Sequence, residues 1–239
     1  KFLEIPEEST GLQLLVEDER DNNGSIQARL FSRVRYKKMT RLREHGRILF
    51  TARINDRFCP VIESSFPRKP EVELSPEDVY RDLVPFGPAY QTLYETLCLA
   101  GHYAWGRLRA PVLPGPDRGR EILGSPFPLD GAFHAACVLG QCFADFVPFP
   151  VGFSRRIVCR PTQAGGSYMA RVELTAQTGD ELVFDLRIVD GRDRLYETVR
   201  DLRMRDVSGG RIKAPEWIRM EGENLSRSVS NETTRRVSG

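Results

Sequence analysis

The chain has no apolar run near the roughly 20 residues that cross a bilayer as a helix, and its opening segment lacks the basic-then-apolar order of a secretory leader. Neither membrane insertion nor export is expected, and a cytoplasmic setting is. Charge of one sign is lacking too: 35 Lys and Arg stand against 33 Asp and Glu, a formal net charge of +2. Global charge therefore draws the chain neither to nucleic acid nor to a membrane surface. The five cysteines, Cys59, Cys98, Cys137, Cys142 and Cys159, are odd in number and scattered. Without CxxC spacing they argue against a zinc site and against a disulfide framework, and read as small apolar fillers. No P-loop, no dinucleotide-binding glycine pattern and no Gly-x-Ser-x-Gly elbow is present, and neither a metal nor a bound cofactor is expected.

What is present is ordinary globular composition, with 40% hydrophobic residues in 239, enough for one sizeable core or two small ones. Residues 12–16, 25–36 and 46–54 carry β-branched and apolar residues, with Asn22-Asn23-Gly24 as turn chemistry, and predict an antiparallel meander. Residues 60–73 hold three prolines, Pro60, Pro67 and Pro70, and read as a linker. Ser75-Pro76-Glu77-Asp78 supplies an N-cap, a first-turn proline and two acids at the positive helix end, so a short helix starts there. Gly87 and Pro88 interrupt it. Residues 94–100 and 102–109 predict a hairpin turning at Gly101, and the Gly- and Pro-rich stretch 111–124 a surface loop.

Residues 129–146 predict a helix with Leu129, Ala132, Phe133, Ala136, Leu139, Cys142, Phe143 and Phe146 around most of its circumference, a pattern normally buried. Strand-like runs follow at 151–159, 167–175, 181–190 and 194–205. One buried helix with antiparallel strands is an α+β arrangement. Residues 216–239 are polar and predict a flexible tail, in which Arg235-Arg236-Val237-Ser238 is a weak match to a kinase target.

The candidate chemistry lies on the apolar helix, in Phe127-Pro-Leu-Asp130-Gly-Ala-Phe-His134. Asp130 and His134 are four apart and project from one face near its start. A carboxyl group and an imidazole in an apolar segment must be hydrogen-bonded or functional, because burying them unpaired is costly. Spacing alone fits a plainer reading better: Asp130 caps the helix and His134 is a satisfied core histidine.

Three motifs in order shift that balance. Phe86-Gly87-Pro88-Ala89-Tyr90 resembles the Tyr-Gly-Pro-x-Phe motif of the polyketide and polyunsaturated-fatty-acid synthase dehydratase family. The helix resembles that family's Leu-Asp-x-x-x-His/Gln motif, and Val147-Pro148-Phe149 its Leu-Pro-Phe segment. Val84 and Phe86 depart from the pattern, standing where family members often carry tyrosine. The resemblance implies a double hotdog: a partial N-terminal hotdog over 1–60, a linker over 61–80, a C-terminal hotdog over 81–215 and a tail over 216–239.

It also implies a function. A family member removes water from a 3-hydroxyacyl thioester carried on the phosphopantetheine of an acyl carrier protein, giving the 2-enoyl thioester. The family uses a histidine base at C2 and an aspartic acid at the C3 hydroxyl, the acid keeping its proton through desolvation in an apolar tunnel. Asp130 is then the general acid, His134 its orienting partner, and Gly87, Pro88, Tyr90, Pro148 and Phe149 the substrate-binding wall.

The family's base lies in a His-x-x-x-Gly-x-x-x-x-Pro motif of the first hotdog. His102-Tyr-Ala-Trp-Gly106-Arg-Leu-Arg-Ala-Pro111 matches it literally, but follows the Gly87-Pro88 element instead of preceding it and reads as an ordinary strand. His45 sits among basic residues and reads as solvated. Either the base lies upstream in the parent protein or catalysis has been lost, leaving a dehydratase-like scaffold or docking module. A hotdog thioesterase, using a carboxylate and water, is the rival enzyme class.

One local charge cluster bears on partners. Arg33, Arg35, Lys37, Lys38, Arg41, Arg43 and Arg47 face a single acid, Glu44, within fifteen residues. It reads either as a solvated β-hairpin or as a docking surface for an acidic carrier protein. Neighbouring synthase domains are further expected partners, and a homodimer is left open because hotdogs often pair. With only Tyr36 to stack on a base, nucleic-acid binding is not expected.

Overall fold

Three long strands with basic residues between apolar ones make the first of two units, Lys1–Phe58 and Cys59–Gly239, into which the chain divides. The computed structural model describes residues 14–20, 25–36, 39–51, 66–67, 69–112 and 123–225. In the first unit β1 (Leu14–Arg20), β2 (Ile26–Tyr36) and β3 (Met39–Phe50) form an antiparallel sheet in that order. The β2–β3 register slips at Leu30/Phe31, which pair with Gly46 and Glu44 and leave His45 as the extra residue of a bulge. That bulge turns His45 onto β2, where Nε2 lies 2.7 Å from Ser32 Oγ. His45 is thus half-buried and bonded, not solvated as its basic neighbours suggested.

The second unit opens with β4 (Val72–Leu74) and the short helix α1 (Pro76–Asp78). Ser75 caps α1 as its sequence predicts, its Oγ accepting from Asp78 N at 3.1 Å. The chain then widens into a π turn, Val79–Leu83, closed by Val84 N donating to Val79 O at 2.8 Å. A 3-10 turn, Pro88–Tyr90, precedes the hairpin of β5 (Leu97–Ala100) and β6 (Tyr103–Arg109). Gly101 makes that hairpin's turn with φ +50°, a left-handed conformation that a side chain resists.

The apolar stretch becomes α2 (Phe127–Phe143). It packs on β6, β9 (Ser167–Thr178) and β10 (Glu181–Val189). With β7 (Phe149–Gly152), β8 (Arg155–Val158) and β11 (Leu195–Arg205), these strands complete an antiparallel sheet ordered β4-β5-β6-β9-β10-β11-β7, with β8 also on β11. Alternate residues of β9 up to Leu174, and of β10, are buried: Tyr168, Ala170, Val172 and Leu174, then Leu182, Phe184, Leu186 and Ile188. That period-two pattern matches the sheet face turned to α2. A buried helix held by a large antiparallel sheet is the hotdog arrangement.

Two glycines let α2 sit this close. A Cβ at Gly140 would lie 2.8 Å from Pro148 Cγ and 2.9 Å from Leu182 Cδ1. One at Gly131 would overlap Thr92 Oγ1 and lie 2.8 Å from Leu108 Cδ2. Their poor helix propensity is offset by the packing it permits.

Several expectations need correction. The interval 61–80 is no linker in its second half, which holds β4, α1 and the start of the π turn; residues 61–65 lie outside the described set. Helix α2 starts at Phe127 and ends at Phe143, because Ala144 is extended (φ −133°, ψ 155°) and Phe146 bridges to Lys213. The run 151–159 is divided between two strands: Asp201 (φ +50°) kinks β11, whose two halves pair separately with β7 and β8.

Residues 216–225 are helical (α3) instead of a flexible tail, with Ile218 and Leu225 fully buried in the core. A Cβ at Gly222 would overlap the Cys142 carbonyl at the end of α2. Polar composition hid this helix, since only its inner face is apolar. Cys159 is disulfide-bonded, so the cysteines are not all fillers; Cys98, Cys137 and Cys142 are free. Odd number and irregular spacing exclude a framework, not a single bond. The turn at 22–24, Cys59, most of the loop at 111–124 and residues 226–239 lie outside the described residues.

Candidate active site

Asp130 stands in the first turn of α2, and His134 one turn later on the same face. Asp130 does not cap the helix: the N-cap is Pro126, with no side-chain cap hydrogen bond. Its Oδ2 instead approaches His134 Nε2 to 3.2 Å, with side-chain exposures of 37% for Asp130 and 4% for His134. The approach lacks hydrogen-bond alignment, so both atoms are buried without a hydrogen-bond partner among the described residues. A buried polar atom left unpaired costs about 1–3 kcal/mol. Two such atoms side by side mark a spot where an incoming oxygen would satisfy both.

The other face of the imidazole is built by residues 80–93, which run from the π turn to the strand hairpin. Tyr80 Oη lies 3.3 Å from His134 Nδ1 and accepts from Leu93 N at 2.8 Å. Burial, the largest influence, pushes the Tyr80 phenol up from its ordinary value despite the donors around it, so it stays protonated. Gln141, one turn along α2 from Cys137, donates Nε2 to Leu83 O at 3.0 Å and ties the end of the π turn to the helix. Phe86 stacks on His134 with ring centroids 4.8 Å apart and planes 21° apart. Tyr90 comes next, its ring 5.8 Å from that of Phe127.

Beside this cluster lies a cleft of about 490 Å³ lined by Pro76, Glu77, Tyr80, Arg81, Gln91, Leu93, Tyr94 and Arg109. Tyr80 is shared by the cleft and the His134 pair. The lining sets Glu77, Arg81, Gln91 and Arg109 beside Pro76 and Leu93, and none of the expected wall residues is part of it.

Comparison with protein families finds that the model described as polyketide synthase dehydratase N-terminal domain matches residues 64–212. The chain belongs to the polyketide synthase dehydratase family. Solved dehydratase domains share its fold. That of RzxB from Pseudomonas fluorescens is 16% identical with a TM-score of 0.57, over 81% of this chain and 68% of that one. The domain of PpsC from Mycobacterium tuberculosis, in complex with C12:1-CoA, is 22% identical with a TM-score of 0.53, over 80% and 67%. The domain from the CurF module of curacin polyketide synthase is 16% identical with a TM-score of 0.56, over 82% and 77%. A comparison with curated protein sequences finds no match.

Within this dehydratase-family domain the expected residues fall into separate places. Asp130, His134 and the 86–90 segment come together at the start of α2, with Gly87, Pro88 and Tyr90 exposed. Pro148 instead packs on Gly140, ten residues from Asp130 and so about 15 Å along the helix. Phe149 is half-buried in β7. His102 lies in the hairpin turn just before β6 and not in the strand itself, its ring on Phe143 at the far end of α2, centroids 5.2 Å apart. Of the two departures from the motif pattern, Val84 is buried in the core and Phe86 stacks on the imidazole of His134.

Sequence reading missed Tyr80, Thr92 and Gly131. Tyr80 carried no motif; its one signal was a buried aromatic directly after a well-capped helix start. On the first unit's sheet Arg33 and Arg41 are exposed and Arg43 is half-buried, while Glu44 holds Arg29 at 2.6 Å and Arg47 at 3.2 Å. Lys37 and Lys38 lie outside the described residues, as does the side chain of Arg35.

Among the described residues no helix is long and apolar enough to cross a membrane, and no cluster of His, Cys, Asp and Glu could hold a metal ion.

Proposed function

We propose that this polyketide synthase dehydratase-type domain acts on 3-hydroxyacyl thioesters presented on the phosphopantetheine of an acyl carrier protein, with Asp130 as general acid and His134 as its partner. The observation that carries the reading is the pair of buried, unpartnered atoms, Asp130 Oδ2 and His134 Nε2, 3.2 Å apart. A C3 hydroxyl seated between them would accept the Asp130 proton and leave as water while the C2–H electron pair forms the C2=C3 bond. The C2 proton must pass to a base. No bound cofactor takes part. Residues 81–215 serve as the C-terminal hotdog of a double hotdog, residues 1–60 as part of the N-terminal one, in a cytoplasmic multidomain synthase.

A second reading has its own support. In the second unit the one other histidine, His102, sits at the opposite end of α2 from Asp130. His45 is engaged with Ser32 in the first unit. A domain without a base would be a scaffold or a carrier-docking module.

Incubating the full native protein with a 3-hydroxyacyl thioester on carrier protein separates these outcomes by mass. Loss of water, abolished or reduced about 100- to 10,000-fold by Asp130→Asn, supports the dehydratase. Free thiol release supports a thioesterase. Unchanged substrate with retained carrier binding supports the scaffold.

A further inference from the structure

The hydroxyl of Tyr80 has one proton to give. Leu93 N donates to its oxygen at 2.8 Å, which leaves the phenol proton for another acceptor. The Thr92 hydroxyl is near, but its Oγ1 has no partner in hydrogen-bond geometry among the described residues. His134 Nδ1 lies 3.3 Å away, and the two rings stand edge to face at 84°. If the phenol donates to Nδ1, that nitrogen is bare and the imidazole carries its proton on Nε2. Nε2 is the nitrogen 3.2 Å from Asp130 Oδ2. In the opposite arrangement Nδ1–H points at a phenol oxygen that Leu93 N already donates to, and a bare Nε2 would accept the carboxyl proton that the proposed acid must give to the substrate.

We propose that Tyr80 is a positioning residue that holds His134 as the neutral Nε2–H tautomer, so that the dyad presents an N–H donor beside the Asp130 carboxyl group. Two features keep Tyr80 there. The backbone N–H of Leu93 fixes its oxygen, and the π turn carrying it is tied to α2 through Gln141 and Leu83. Phe86, stacked on the imidazole, stops the ring from turning away. The groups facing His134 are then Tyr80 from the π turn, Asp130 from its own helix and the uncharged ring of Phe86. A donor at Nε2 would steady the leaving oxygen and would not compete for the proton Asp130 delivers. The effect on turnover rests on the proposed dehydration; the tautomer does not.

The test is nitrogen NMR of the full chain labelled in its three histidines, with His134 identified by the signals lost in His134→Gln. The expected spectrum shows Nε2 protonated, with Nδ1 unprotonated and displaced by an accepted hydrogen bond. Tyr80→Phe moves Nδ1 to the free-nitrogen position, and 3-fluorotyrosine at position 80, a stronger donor, displaces it further the other way. Native-like far-UV circular dichroism separates this from unfolding, and the 3-fluorotyrosine protein gives a readout even if Tyr80→Phe fails to fold. A protonated Nδ1 in the unmodified protein, or an Nδ1 signal indifferent to both changes, overturns the proposal. Where dehydration is measurable, Tyr80→Phe lowers kcat on the order of tenfold with little change in KM. A spectrum as expected without turnover would tell against the dehydratase reading and leave the tautomer assignment standing.

Discussion

At the scale of single residues, the dyad depends on small side chains as much as on polar ones. Gly131 follows Asp130 directly, and any Cβ there meets Thr92 Oγ1 and Leu108. Gly131→Ala should cost about 1–3 kcal/mol by overpacking, read as a lower urea midpoint, although alanine is the better helix former. Cysteine reactivity is set by burial in the same helix. Cys137 and Cys142 are pushed up to about 12, burial being the main cause for each, so neither thiol ionises near neutral pH. Native-state alkylation should spare both and modify them only after denaturation.

At the scale of elements, two contacts decide how parts of the sheet and the last helix are held. Glu197 on β11 is 2% exposed in its side chain and receives Arg156 of β8 through Nε at 2.5 Å and Nη2 at 3.1 Å. Burial raises the Glu197 pKa, and Arg156 pulls it back only in part. A carboxyl raised on folding stabilises most below its unfolded pKa, and that contribution is lost as pH climbs through the folded value. Arg156→Ala removes the opposing charge, so it should cost about 3–5 kcal/mol where Glu197 is ionised. The cost should shrink as pH falls through the raised folded value, where the acid takes up its proton; urea melts from neutral to acid pH check the slope. Helix α3 depends on Gly222 resting against the Cys142 carbonyl. Gly222→Ala should release it, seen as lost amide-exchange protection over residues 216–225 with the sheet unaffected.

At the scale of the whole molecule, the basic strands of the first unit bear on partner choice. Arg33 on β2 and Arg41 on β3 are exposed, while Arg29 and Arg47 are engaged by Glu44. If these arginines steer an acidic carrier protein, charge reversal at Arg33 and Arg41 should slow association at low salt. The difference should vanish as the Debye length falls to about 3 Å near 1 M salt. Unchanged association rates would leave the strands as a solvated hairpin.

The sequence by itself determined the elements whose local chemistry and long-range role agree. Ser75 capping, the Gly101 turn, the period-two strands β9 and β10 and the largely apolar α2 were all legible, because each pattern admits one structure. Asp130 and His134 were legible as a pair sharing a helix face, although spacing could not tell a cap from a functional dyad. Tertiary structure decided what depends on neighbours distant in the chain. Tyr80 reaches His134 only because the π turn is tied to α2, Pro148 lies at the wrong end of that helix to join them, and α3 is ordered by two buried side chains in a polar run. Periodicity reports which face of an element is buried; what that face meets is set by how the sheet wraps the helix.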